Sequence, residues 1–109
     1  MPQTHKVLGQ SSPSANTDTT LYTTPASTQT IVSTLSIANL SATATTFRVA
    51  VRPAGATLAN QHYVSFDVPL PGNDTVSLTL GLTLAATDVV TVRAGAANVA
   101  FSLFGCEIT

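Results

Sequence analysis

A chain of 109 residues holds one hydrophobic core and is too short to divide into two compact halves. Only 8% of its residues are charged, where an average soluble domain carries about 25%, and a folded monomer of this mass exposes roughly 5,700 Å², or about 600 Å² for each charge. So sparse a charge, with a net value of −1, weakens the repulsion that keeps molecules apart and points to an assembled protein; it also excludes nucleic acid as a partner, because Lys6, Arg48, Arg52 and Arg93 cannot form the basic stripe that neutralising a phosphate backbone requires.

Residues 1–18 are rich in Ser, Thr, Pro, Gln and Asn around a short Lys6-Val7-Leu8 segment, and read as an extended N-terminal arm tethered at one point. Residues 19–109 read as a single β-sandwich domain, with β-branched and aromatic residues in short alternating runs, turn residues between them and no 3.6-residue period. Residues 30–40 place Ile31, Ser33, Leu35 and Ile37 on one face. A short connection over 39–43 then predicts a hairpin with residues 45–52, where Phe47, Val49 and Val51 alternate with Thr46, Arg48, Ala50 and Arg52. Residues 63–68 send Val64, Phe66 and Val68 inward, and Pro69-Leu70-Pro71-Gly72-Asn73-Asp74 supplies a turn. Residues 75–84 alternate Val76, Leu78 and Leu80 with Thr and Ser. After a turn at Ala85-Ala86-Thr87-Asp88 the next strand points Val90 and Val92 inward, and a last turn over 95–98 leads to a closing strand whose Phe101 and Phe104 place it centrally. Seven to eight short strands without helix-forming runs predict an all-β fold, an antiparallel β-sandwich or jelly roll.

Catalysis needs a nucleophile, a base and an orienting group within reach of one another. The histidines are His5 in the arm and His62 beside Tyr63 at a strand start, and no G-x-S-x-G elbow occurs. The chain therefore reads as no enzyme, with no small-molecule substrate and no cofactor. Asp18, Asp67, Asp74, Asp88 and Glu107 stand singly, at turns where Asp caps its own backbone, and form no calcium loop, so no metal is expected. Cys106 has no partner for a disulfide or a Cys-based zinc site and reads as a small hydrophobe near the last strand. Asn39-Leu40-Ser41 and Asn73-Asp74-Thr75 have the form of glycosylation triplets, but with no secretory leader they read as turn chemistry in a protein made in the cytoplasm. No stretch reaches the ~18 consecutive apolar residues of a membrane span. With no Trp and only two Tyr, a stacking platform for sugars is poorly supplied; Tyr22, Tyr63 and one of the phenylalanines are the residues available for it. Arg48 and Arg52 share a strand face four residues apart, either as a paired basic patch for an acidic neighbour or as ordinary strand solubilisers.

Lys6-Val7-Leu8-Gly9-Gln10, Leu21-Tyr22-Thr23-Thr24-Pro25-Ala26, Ala44-Thr45-Thr46-Phe47-Arg48-Val49-Ala50-Val51, Gly72-Asn73-Asp74-Thr75 and Phe104-Gly105-Cys106-Glu107-Ile108 together resemble small β-sandwich virion structural proteins of tailed bacteriophages, over nearly the whole chain. The resemblance implies a non-enzymatic, multi-copy assembly protein located in the virion. Its first form is a capsid cement or decoration protein that binds the outer capsid surface and stabilises the shell. A tail, baseplate or fibre component, or a host-glycan binding module, is the other. The partners implied are the major capsid protein and copies of the chain itself, as a homotrimer, and the expected interface residues are Lys6, Val7, Leu8, Arg48, Arg52, His62 and Tyr63. The arm is the leading interface candidate, as a strand added to a neighbour or draped across it.

Overall fold

The computed structural model describes residues 3–79 and 81–109. Among them, nine strands form two antiparallel sheets: β1 (Gln3–Ser11), β2 (Thr19–Thr23), β3 (Gln29–Asn39), β4 (Thr45–Arg52), β5 (Tyr63–Leu70), β6 (Thr75–Leu78), β7 (Leu82–Leu84), β8 (Val89–Ala94) and β9 (Val99–Ile108). One sheet runs β1-β9-β3, with β6 and β7 lying end to end along the far side of β3, and the other runs β2-β8-β4-β5. With β6 and β7 counted as one interrupted strand, each sheet is four wide and the order is that of a jelly roll. The inner faces meet over Phe47, Phe101, Leu35, Ile37, Leu70, Leu84 and Leu103, all fully buried, with Val32, Val49, Val90, Val92 and Val99 filling the spaces between. The all-β sandwich is therefore as the alternating runs predict, although Leu80 lies outside the described residues.

The strand count of nine, against seven to eight expected, has two sources. The segment 82–84 forms a strand of its own, and the N-terminal segment is structured. From Gln3 to Ser11 the expected arm is an edge strand, paired with β9 from Gln3 opposite Ile108 to Ser11 opposite Phe101. Leu8 packs against the core, and the pairing occupies backbone groups of β9 that would otherwise form an open edge.

Two strands change face partway along. The β3 register against β9 slips between Val32 and Thr34, and one extra residue moves every later side chain to the opposite face. Thr30 and Val32 are buried before the slip and Leu35, Ile37 and Asn39 after it, so Ile31 and Ser33 lie on the outer face rather than with Leu35 and Ile37. On the other flank of β9, β1 slips between Val7 and Gly9. The two bulges flank Phe104, that of β3 between Gly105 and Phe104 and that of β1 between Phe104 and Leu103, and a Cβ on residue 105 would meet the Ile31 carbonyl. In β5 the switch is Asp67, held at φ +51°. Val68 and Leu70 beyond it turn toward the core, while Val64 and Phe66 before it point to solvent, contrary to the inward placement expected of them.

The expected hairpin between β3 and β4 does not form, because the two strands belong to different sheets and residues 40–44 cross from one to the other. Asn39 decides this. Its buried amide donates to the Thr43 carbonyl at 2.9 Å and the Pro71 carbonyl at 3.2 Å, and its Oδ1 accepts from the Ser41 N–H at 3.0 Å. The crossing is thereby pinned to the turn after β5, which adds the Asn73 N–H to Ser41 carbonyl bond.

Candidate interaction surface

The outer edges of the sandwich are poorly suited to pairing with another strand. β1, β2 and β5 each carry a register slip, and the remaining edge is divided between β6 and β7. Such interruptions blunt edge-to-edge association. The surfaces left for recognition are the outer faces, and the seven expected interface residues fall on two of them.

Lys6, Val7 and Leu8 lie on β1 at the edge of the first sheet. Lys6 Nζ is 3.2 Å from Glu107 Oε1, Val7 is half exposed, and Leu8 is turned inward. Glu107 also accepts from the Tyr22 hydroxyl at 2.6 Å, and that hydroxyl lies 2.8 Å from Thr30 Oγ1. Tyr22 belongs to the second sheet and Glu107, Thr30 and Lys6 to the first, so one polar node ties the two sheets and the edge strand together. The Tyr22 donor, helped by Lys6, holds the Glu107 carboxyl below the usual carboxylate range against the opposing effect of burial. Burial first, and then the carboxylate, push the Tyr22 hydroxyl up to about 12. Beyond this node the outer face of the first sheet holds a shallow groove of about 510 Å³ in which Ile31, Phe104, Cys106 and His5 converge. Cys106 is a half-buried free thiol there, paired across strands with His5.

Arg48, Arg52, His62 and Tyr63 lie on the outer side of the second sheet. Arg48 grips Asp67 through two nitrogens, Nε to Oδ1 at 2.6 Å and Nη2 to Oδ2 at 3.2 Å, which keeps Asp67 ionised well below the usual carboxylate range. The guanidinium stacks 4.1 Å from the centre of the Phe66 ring, and Tyr63 meets Phe66 edge to face at 4.9 Å. Arg52 is turned away from this cluster, with Nε on Thr91 Oγ1 at 3.0 Å and Nη1 on the Ala56 carbonyl at 3.2 Å. The two arginines are thus separately engaged and do not form a paired basic patch. His62 Nδ1 accepts the Ala59 N–H at 3.0 Å, reinforcing the 3-10 turn Asn60–His62 that leads into β5.

Phe66 and Val64, expected in the core, and Asp67, expected at a turn, belong to this surface instead. Phe66 and Val64 are the centre of the exposed apolar surface here, at 54% and 45% exposure, and Asp67 serves as an arginine partner within a strand rather than as a turn cap. The one available signal is that Asp tolerates the left-handed conformation a bulge of this kind demands.

All nine charged side chains are engaged within the molecule. Lys6 pairs with Glu107, Arg48 with Asp67, and Arg93 with Asp18 at 3.7 Å; Arg52 is held as described. Asp88 accepts from the N–H groups of Ala54 and Ala85, and Asp74 from that of Thr75. Exposed apolar residues stand on both sheets: Val7 and Ile31 on one, Val64 and Phe66 on the other. No protein-family model matches the chain, and no curated protein matches it.

Proposed function

We propose that this chain is a non-enzymatic virion structural protein, a capsid decoration protein that binds the outer capsid surface and stabilises the shell. The observation that carries the reading is the state of its surface: 5430 Å² served by charges that are all committed internally, with the large apolar side chains Val7 and Ile31 left exposed on the first sheet. A surface of this kind gains from being covered by neighbours, since interface cores are depleted in free charge and enriched in apolar and aromatic groups. The blunted edges direct that covering to the faces, and the polar node ties the two sheets and the edge strand into one unit for neighbours to pack against. Jelly rolls recur in viral capsid and lectin domains; this is a fold-level analogy and assigns no function by itself. The partners proposed are the major capsid protein and two further copies of the chain, in a homotrimer, with the protein made in the host cytoplasm and carried in the virion.

The test mixes purified protein with empty capsids of the source phage and separates bound from free by sedimentation, with the oligomeric state of the free protein measured alongside. Saturable co-sedimentation with capsids and a trimer in solution are expected. A monomer at all concentrations with no affinity for capsids contradicts the proposal.

A further inference from the structure

We infer that the outer face of β5 carries a binding site for a neutral saccharide ring, seated on Phe66 and Tyr63 and bordered by Asn60. A phenylalanine left more than half exposed is unfavourable, and here it is also held still. Arg48 covers part of its ring, the Asp67 carboxylate fixes Arg48 with a two-point grip, and Tyr63 braces it at right angles. The backbone that aims Phe66 outward passes through Asp67 at φ +51°, a left-handed conformation that Asp tolerates better than most side chains. The His62–Ala59 bond fixes the turn that carries Asn60. The result is a rigid aromatic platform beside a cavity of about 290 Å³ lined by Asn60, Tyr63 and Phe66.

The chemistry of that cavity selects among ligands. Its apolar part is a ring face, which suits the C–H face of a pyranose and is too small to anchor a protein interface alone. Its polar part is the Asn60 amide, with paired donors and acceptors that match neighbouring hydroxyl groups. None of the three lining residues carries a charge, so the cavity offers none to an acidic peptide or a sialylated sugar. A neutral hexose or N-acetylhexosamine fits all three conditions. A single ring on so open a platform binds with a dissociation constant on the order of millimolar. Many copies on one particle would raise the working strength through avidity; only this last step rests on the assembly reading.

The test is a titration of isotopically labelled full-length protein, observed by NMR, with the methyl glycosides of glucose, galactose, mannose and N-acetylglucosamine. Saturable shifts centred on Asn60, Tyr63 and Phe66 are expected with at least one of them. Phe66→Ala, at an exposed position that leaves the fold intact by the same spectra, is expected to weaken that binding at least tenfold. Phe66→Tyr retains it, and Val7→Ala on the opposite sheet leaves it unchanged. Absence of saturable shifts with all four sugars overturns the inference, as does binding that Phe66→Ala does not weaken. Shifts at the same residues that track protein concentration without sugar also overturn it, by giving the site to a second copy of the chain. Capsid co-sedimentation of Phe66→Ala separates this inference from the decoration reading, since a variant that loses sugar but keeps capsids leaves both standing.

Discussion

Replacing Tyr22 by Phe removes one oxygen from the space between the sheets and keeps the ring volume, so the change isolates the polar node from the packing around it. The lost hydroxyl donates to the ionised Glu107 at 2.6 Å and sits 2.8 Å from the fully buried Thr30. A hydrogen bond to a charged group contributes about 1.5–3 kcal/mol, and leaving a buried hydroxyl without its partner adds a comparable penalty. Glu107 keeps Lys6, which offsets part of the loss, and the expected destabilisation is about 2–3 kcal/mol at neutral pH. The assay is urea unfolding of wild type and Tyr22→Phe across a range of pH. Because Glu107 is depressed in the folded state, its contribution is present above the ordinary glutamate range and is lost as pH falls through its folded value. The gap between the two proteins therefore narrows in acid. Because Tyr22 is raised to about 12, its contribution is whole below the ordinary tyrosine value of about 10 and disappears as pH climbs from there toward 12, in wild type only. A gap that stays constant from neutral pH through both limits would refute the assignment of this stability to the Tyr22–Glu107 bond.

Asn39→Ala, which strands the Thr43 and Pro71 carbonyls and the Ser41 N–H, is expected to cost about 2–4 kcal/mol, read by chemical denaturation; a loss below about 1 kcal/mol would mean that water replaces the amide. Thr87, a β-branched residue at φ +69°, bears left-handed strain of about 1–2 kcal/mol, so Thr87→Gly is expected to raise the melting temperature despite glycine's greater freedom in the unfolded chain. A fall in melting temperature would show that threonine contacts outweigh the strain. Gly105→Ala drives a methyl toward the Ile31 carbonyl where two bulged strands flank β9, and a loss of about 1–3 kcal/mol is expected by thermal unfolding; no loss would mean that the sheet opens there freely.

Composition and alternation make the fold class legible: strand-forming residues in short runs with turn residues between them admit little besides a sandwich. The phase of each strand is less legible, because a bulge costs one residue and leaves no compositional mark. In β3 the run Ile31, Ser33, Leu35, Ile37 alternates without a break, and the slip at Ser33 becomes visible only through β9, where Gly105 lets the strands crowd. In β5 the same happens at Asp67, whose role as a switch looks like turn chemistry in a linear reading. Residues 40–44 have the length of a hairpin loop and of a crossing alike, and the side-chain hydrogen bonds of Asn39, a tertiary matter, choose between them. The site was half legible. Arg48 and Tyr63 are recognisable as surface candidates from strand position, whereas Phe66, their common neighbour, is hidden by the very pattern that marks it as core.

The claim that this module decorates a capsid is tested most directly by raising an antibody to it and imaging gold-labelled intact particles of the source phage by electron microscopy. Label distributed over the head is the predicted result. Label confined to the tail, baseplate or fibres, or no label on any particle, would contradict it.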